Sequence, residues 1–226
     1  MMKLFNTVNK ALHFSVLILF LFGCESKQQT TSRVEELPYY EEATFTPKWF
    51  DSPAQLPADF HQVPAFALVN QLGDTITEKD MAGKIYVIDF FFTTCPGICP
   101  KLTGNMALVQ EAFLEDDQVL LLSHSVTPDY DNVAVLKEYA DVKGVVDGKW
   151  HMLTGDRDQI YNLGRNAYFV EEDLGLEKDP DDFIHTENMV LIDGNRHIRG
   201  IYNGLNKAAI SQLMADIKTL EKSNIL

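Results

Sequence analysis

The alternation of hydrophobic and polar residues predicts a chain in which strands and helices follow one another. An early segment, VPAFALVNQLGDTIT (63–77), predicts two short strands around a Gly-Asp turn. The run KIYVIDFFF (84–92) is apolar almost throughout and rich in β-branched and aromatic residues, which is typical of a strand buried on both faces. In PKLTGNMALVQEAFLE (100–115), apolar residues recur at spacings of three and four, which predicts a helix.

The rest of the chain continues this alternation. Further strands are predicted at QVLLLSHSV (118–126), at KWHMLTG (149–155) and, as a pair around an Asp-Gly turn, at NMVLIDGNRHIRGIYNG (188–204). Further helices are predicted at DNVAVLKEYADV (131–142) with Asp131 or Asn132 as cap, at DRDQIYNLGRNA (156–167) and at NKAAISQLMADIKTLEK (206–222). This order predicts an α/β fold with a central sheet and helices on both faces.

The first 23 residues have the composition of an export signal. Lys3 and Lys10 are followed by an apolar run, 11–22, which has signal-peptide length and is short for a membrane span. Gly23 and Cys24 come next, and the junction resembles a bacterial lipobox, in which the cysteine is lipidated and becomes the first mature residue. The alternative is an uncleaved N-terminal anchor. In either case we expect the folded part to be exported and anchored to a membrane, as a lipoprotein if Cys24 is lipidated. It would face the periplasm or the outer side of the cytoplasmic membrane.

The remaining chain divides into a tether and one domain. Residues 24–59 lack periodic apolar positions, which predicts a polar tether between the signal peptide (1–23) and a single domain over 60–226. A chain of 226 residues with 46% hydrophobic residues can bury one sizeable core. Without its signal peptide the chain has 17 basic and 33 acidic side chains, a balance of −16. That charge argues against nucleic acid and against anionic lipid headgroups as ligands.

Two of the three cysteines lie four positions apart in FFTTCPGICP (91–100). If Cys24 is lipidated, Cys95 and Cys99 are the only thiols of an exported domain, where thiols are usually paired or used. A purely structural disulfide would close too short a loop to remove much unfolded-state entropy. A redox dithiol and a clamp for a soft metal therefore remain as the leading alternatives.

The position of this pair, between a buried strand and a helix, favours a functional site, because open α/β sheets bind ligands at the carboxyl ends of their strands. Residues i and i+4 share one helix face, so we expect Cys95 and Cys99 to present both sulfurs to one atom. The N-terminus of a helix also favours thiolate over thiol. Two thiolates select Cu(I) or Zn over hard cations. A pair close enough to share a metal can also close into a reversible disulfide.

A third ligand would come from elsewhere, and histidine is the obvious candidate. The chain contains six histidines, and any one of them taken blindly is more often structural than a ligand. His185 stands in DPDDFIHTENMVLID (179–193), a predicted loop that leads into a strand.

Four segments resemble, in their order along the chain, the Sco (SenC/PrrC) family of copper chaperones. They are FFTTCPGICP, HSVTPDYDNVAVLKEYA, KWHMLTGD and DDFIHTENMVLIDGNRHIRGIYNG. The resemblance implies a thioredoxin-like fold, one bound copper ion and assembly of the binuclear copper centre of cytochrome c oxidase. It implies Cys95, Cys99 and His185 as ligands of copper, bound as Cu(I) with Cu(II) the alternative. It also implies a metallochaperone rather than an enzyme, and we expect a monomer whose partner is the copper-binding subunit of the oxidase.

Two positions depart from the family pattern. Gly97 replaces an aspartate that is frequent between the two cysteines, and Thr127 stands where the family commonly has the aspartate of an Asp-Pro pair. The first change removes a carboxylate close to the thiols, and neither removes a ligand.

The second hypothesis is a thiol-disulfide reductase that acts on the copper-ligand cysteines of the oxidase. Thioredoxin-like oxidoreductases normally have Cys-x2-Cys and a cis-proline that faces the pair. Here the spacing is one residue longer, and IHTENM (184–189) contains no proline. The third hypothesis, an inert interaction domain, would be indicated by a lost ligand, and all three are present.

Overall fold

The structure is a computed structural model that describes residues 31–171, 184 and 186–223. The strands are β1 (Ala67–Val69), β2 (Thr75–Thr77), β3 (Ile85–Phe91), β4 (Val119–Ser125), β5 (Trp150–Leu153), β6 (Asn188–Ile192) and β7 (Ile198–Asn203). The helices are α1 (Cys99–Ala112), α2 (Val133–Lys143), α3 (Arg157–Asn162) and α4 (Lys207–Lys222). A π-helical turn, Leu163–Ala167, continues α3. Each predicted strand and helix is therefore present, with shifted ends.

The central sheet contains five strands in the order β5-β4-β3-β6-β7. Strand β4 pairs in parallel with β3 and with β5, whereas β6 pairs antiparallel with β3 and with β7. The carboxyl ends of β3, β4 and β5 therefore share one edge of the sheet, where ligands bind in open α/β sheets. All seven residues of β3 and all seven of β4 are buried, which confirms the predicted central strands.

Two apolar cores cover the two faces of this sheet. Tyr86, Ile88 and Phe90 of β3 face a core to which α3 and the π-helical turn contribute. Val87 and Phe91 face the other core, which α1, α2 and α4 close. The apolar positions predicted for α1 are all buried in that second core: Leu102, Met106, Val109 and Phe113. The predicted α/β fold with helices on both faces is confirmed.

Helix α2 starts at one of its two predicted caps. The side-chain oxygen of Asn132 accepts hydrogen bonds from the N–H groups of Ala134 and Val135 at 3.0 and 3.2 Å. Asp131, the other candidate, points into the domain and is fully buried. Because the cap is Asn132, Asp131 is left to form a different set of contacts close to the cysteines.

Part of the predicted tether packs on the domain. Leu37 and Tyr39 are buried, and the Tyr40 N–H donates to the backbone of β7 at 3.1 Å. The Arg199 guanidinium donates to the Leu37 carbonyl at 2.6 Å and lies 3.7 Å from the centre of the Tyr39 ring. The folded domain therefore begins before residue 60, which corrects the predicted tether over 24–59 for this part. A few isolated contacts, rather than a periodic apolar run, hold the segment in place.

The predicted signal peptide, the predicted lipidation site Cys24 and the first residues of the tether lie outside the described residues. Within the described part of the chain, the helices are all too short or too polar to cross a membrane.

Candidate metal centre

The two cysteines lie where β3 ends and α1 begins. Cys99 is the first residue of α1 and is buried, whereas Cys95 lies in the preceding loop and is half-buried. Both are free thiols, and the Cys99 thiol donates a hydrogen bond to the Cys95 sulfur. The expectation that both cysteines share one helical face is wrong, because Pro96 and Gly97 form an irregular turn before the helix. The turn nevertheless brings the two sulfur atoms together.

The two thiols line one pocket of about 270 Å³ at the carboxyl end of β3. Its other walls are mostly apolar side chains, among them Phe90, Phe92, Ile98 and Val126. Such walls exclude water and strengthen any electrostatic interaction inside the pocket. Soft, polarisable sulfur ligands in an apolar pocket suit a soft metal ion.

The two thiols differ in acidity. Burial opposes ionisation of Cys95, but hydrogen bonds from the Cys99 thiol and from the N–H groups of Cys99, Gly97 and Ile98 outweigh it and lower the pKa of Cys95. Burial and the hydrogen bond to Cys95 raise the pKa of Cys99 to about 12. The sequence predicted that the N-terminus of a helix would stabilise both thiolates. The structure corrects this, since the N–H groups around the helix start point at Cys95 and leave Cys99 protonated.

The third predicted ligand, His185, lies outside the described residues. Both of its neighbours are described, and Ile184 and Thr186 each line the pocket of the cysteines. The Thr186 hydroxyl donates to the Val170 carbonyl at 2.6 Å, and the Asn188 side-chain amide donates to the same carbonyl at 2.9 Å. The two residues that flank His185 in the sequence therefore both lie at the pocket.

The other described histidines have different surroundings. His124 is buried and stacks on Phe90, a wall residue of the pocket, at 4.9 Å between ring centroids. His151 bonds with the side chain of Asn70 at 3.3 Å, and a ring nitrogen of His197 lies 2.8 Å from the His61 carbonyl. Within the described ranges no three side chains of His, Cys, Asp or Glu converge on a metal position. The described part of the site thus contains two sulfur atoms and no third candidate ligand of these residue types.

Two buried carboxyl groups close to the cysteines were not predicted from the sequence as part of the site. Asp89 of β3 is buried, accepts a hydrogen bond from the Ser123 hydroxyl, and Ser123 in turn accepts from the Trp150 indole N–H at 2.9 Å. Burial outweighs the Ser123 hydrogen bond and raises the pKa of Asp89 to about 7. An aspartate inside an otherwise apolar strand was the signal that could have identified it.

The second carboxyl group, Asp131, accepts hydrogen bonds from Thr93, Ser125 and Thr127. Thr127, which departs from the family pattern, therefore contributes a hydroxyl donor to a carboxylate four residues further on. No local sequence signal indicates this, because Thr93 lies 38 residues from Asp131.

Comparison with known proteins places this site in a family. The family model described as SCO1/SenC matches residues 54–222. A SCO1/SenC family lipoprotein from Bacillus anthracis is 29% identical in structure-based comparison, with a TM-score of 0.62, and covers 74% of this chain and 98% of its own. A second solved structure is that of BsSco, a member of the Sco family of cytochrome c oxidase assembly proteins in which a disulfide switch has been identified. It is 26% identical, with a TM-score of 0.61, and covers 72% of this chain and 94% of its own.

A third solved structure, ScoI from Bradyrhizobium japonicum with copper bound, is 28% identical with a TM-score of 0.55 and covers 70% of this chain and 99% of its own. The match of the family model extends over well more than half of the 226 residues and includes both cysteines. The chain therefore belongs to the SCO1/SenC family and has the thioredoxin-like fold of its members.

Proposed function

We propose that this protein is a membrane-tethered copper chaperone that binds one copper ion through Cys95, Cys99 and His185. The observation on which this proposal depends is the pair of free thiols in one apolar pocket, beside the two residues that flank His185. The related ScoI from Bradyrhizobium japonicum is a copper-bound structure, which supports copper as the metal.

Metal binding at this pocket must displace a proton from Cys99. The pKa of Cys99 is about 12, so this thiol is protonated at neutral pH, whereas the lowered pKa of Cys95 makes it the first sulfur to ionise. Because thiolate is the ligand, copper binding is coupled to proton release. Cys95 is also the more exposed of the two, and we expect incoming copper to meet it first.

We propose that the recipient is the copper-binding subunit of cytochrome c oxidase. The related BsSco belongs to a family of cytochrome c oxidase assembly proteins, which supports this choice. We further propose that Cys24 is lipidated and anchors the chain on the outer side of the cytoplasmic membrane. A related protein from Bacillus anthracis is a lipoprotein. A labelled-palmitate assay on Cys24→Ser tests the anchor, and continued labelling would contradict it.

A second function, thiol-disulfide exchange, is favoured by the hydrogen bond between the two thiols. Their sulfur atoms lie within reach of each other, and a disulfide switch is described for the related BsSco. In this reaction the Cys95 thiolate attacks a disulfide of the partner, and Cys99 then displaces the partner's sulfur. The pair loses two electrons and two protons, and the partner gains two thiols. Because a disulfide offers no thiolate, we expect oxidation to expel Cu(I).

Copper stoichiometry of the reduced protein tests the chaperone proposal. We expect one Cu(I) per chain, and weakened binding in Cys95→Ala, Cys99→Ala and His185→Ala, by competition with a chromophoric Cu(I) chelator. His61→Gln, which changes a histidine that does not line the pocket, is the matched control and should bind as the natural protein does. Undiminished affinity in both cysteine variants would contradict the metal site.

A further inference from the structure

Asp131 forms a buried junction between two loops at the edge of the site. Its carboxylate is fully buried and accepts hydrogen bonds from the Thr93 N–H at 3.2 Å, the Ser125 hydroxyl at 2.5 Å and the Thr127 hydroxyl at 3.0 Å. The Thr93 hydroxyl also donates to it. Hydrogen bonds to an ionised acceptor are stronger than neutral ones, and removing one partner of a buried group leaves a costly unpaired atom.

The donors come from two different parts of the chain. Thr93 lies in the loop after β3, two residues before Cys95, whereas Ser125 and Thr127 belong to the end of β4 and the turn that follows it. The Val126 N–H donates to the Phe91 carbonyl at 2.9 Å and extends the contact between the same two segments. Asp131 thus connects the cysteine loop to the end of β4.

One side of this junction lies at the start of α2. Asp131 immediately precedes Asn132, the cap of α2, and the Asp131 N–H donates to the Thr127 carbonyl at 2.9 Å. The other side is the irregular loop 92–98, which contains Cys95. The hydrogen bonds from Thr93 to Asp131 therefore join the cysteine loop to the segment between β4 and α2.

We propose that Asp131 is a positioning residue for Cys95, acting through Thr93. By holding the cysteine loop against the end of β4, it keeps the Cys95 sulfur within reach of Cys99, both for closing a disulfide and for sharing a metal ion. Reacting groups held in place behave as if at high effective concentration, and small displacements reduce that advantage strongly. The effect on copper rests on the proposed function, whereas the effect on the disulfide does not.

A pair of threonine variants separates positioning from stability. Thr93→Val removes the hydroxyl donor on the cysteine loop, and Thr127→Val removes a hydroxyl donor to the same carboxylate on the turn after β4. Thr93→Ser keeps the hydroxyl and is the conservative rescue. The readouts are the thermal midpoint, the affinity for Cu(I), and the disulfide equilibrium against glutathione, in which Cys95 and Cys99 give two electrons and two protons to oxidised glutathione.

We expect Thr93→Val to shift the disulfide equilibrium by about tenfold towards the dithiol, and to weaken Cu(I) binding by a similar factor. Thr127→Val should stay within about twofold of the natural protein even where its thermal midpoint falls, and Thr93→Ser should restore the equilibrium. Equal shifts in the two valine variants, in step with their thermal midpoints, would overturn the proposal, as would an unchanged disulfide equilibrium in Thr93→Val. A shifted disulfide equilibrium in a protein that binds no Cu(I) would support the positioning role and contradict the proposed copper function.

Discussion

The loop that contains Cys95 and the helix start that contains Cys99 lie side by side but give their sulfur atoms opposite properties. The loop leaves Cys95 half-buried and surrounds it with N–H donors, so its pKa is lowered. The first turn of α1 buries Cys99 in the core between α1 and the sheet, and its pKa rises to about 12. Identical side chains four residues apart therefore differ in burial and in acidity.

This difference indicates how the pair works. An accessible thiolate can attack a disulfide or capture an incoming metal ion, while a buried thiol stays protonated until the metal or the partner sulfur is in place. A pair of equally exposed thiolates would oxidise or bind metals at either sulfur. For the proposed functions, the asymmetry predicts an order of steps in which Cys95 reacts first and Cys99 second.

The largest effect is expected at the buried carboxyl on the Cys99 side. Burial raises the pKa of Asp89 from 3.8 to about 7, so the folded protein binds a proton that the unfolded chain has released. The stability from this group is present below pH 3.8 and is lost as the pH rises through 7, by up to about 4 kcal/mol. Asp89→Asn should remove the part of the decline that this carboxyl causes, measured as the free energy of unfolding in urea at pH 5 and pH 8.

The control for this experiment is Asp129→Asn, which changes an exposed carboxyl on the turn after β4. Its free energy of unfolding should change between pH 5 and pH 8 as that of the natural protein does. The contradicting outcome is a free energy of unfolding of Asp89→Asn that differs from that of the natural protein by the same amount at pH 5 and at pH 8. In that case Asp89 does not titrate in this range, and the account of the buried surroundings of Cys99 is wrong.

A smaller effect is expected in the reactivity of the two thiols. Because Cys95 is the more acidic and the more exposed, iodoacetamide at pH 8 should modify it about a hundredfold faster than Cys99 in the reduced protein. Timed alkylation followed by peptide mass spectrometry measures both rates in one sample. Urea-unfolded protein is the control, and there the two rates should converge. Equal rates in the folded protein would remove the asymmetry altogether.

The smallest effect is expected from restoring a charge between the cysteines. Gly97 is exposed, and a Cβ atom added at this position would meet no atom within 4 Å apart from its chain neighbours. Gly97→Asp should raise the pKa of Cys95 and slow its alkylation about two- to fivefold at low salt, since an exposed charge contributes roughly 0.2–1 kcal/mol. Gly97→Asn has the same shape without the charge, and should leave the rate close to that of the natural protein. A rate reduction of the same size in both variants, or one insensitive to salt, would exclude the charge as the cause.

The parts of the molecule that the sequence predicted well are those with strong periodicity. Strand β3 and helix α1 follow from a continuous apolar run and from spacings of three and four, and together they locate the cysteines at a functional edge of the sheet. The resemblance to the Sco family then supplied copper and the oxidase as expectations. A local pattern was sufficient because the apolar run and the spacings of three and four are visible in consecutive residues.

Other features depend on contacts that no local pattern records. The difference in acidity between Cys95 and Cys99 comes from the geometry of the turn before α1. The sequence predicted a regular helix at this turn. The packing of Leu37 and Tyr39 depends on Arg199, more than 150 residues away. The Asp131 junction likewise brings together loops that follow two different strands. Each of these requires the tertiary fold before it can be seen.

The central claim is that copper is held by both of these unequal sulfur atoms together with His185. X-ray absorption at the copper edge, on reduced protein loaded with one equivalent of Cu(I), tests it most directly. The predicted first coordination shell contains two sulfur atoms and one nitrogen, with the nitrogen lost in His185→Ala and one sulfur lost in either Cys95→Ala or Cys99→Ala. A first shell without sulfur, or a shell that is the same in the natural protein and in both cysteine variants, would contradict the claim.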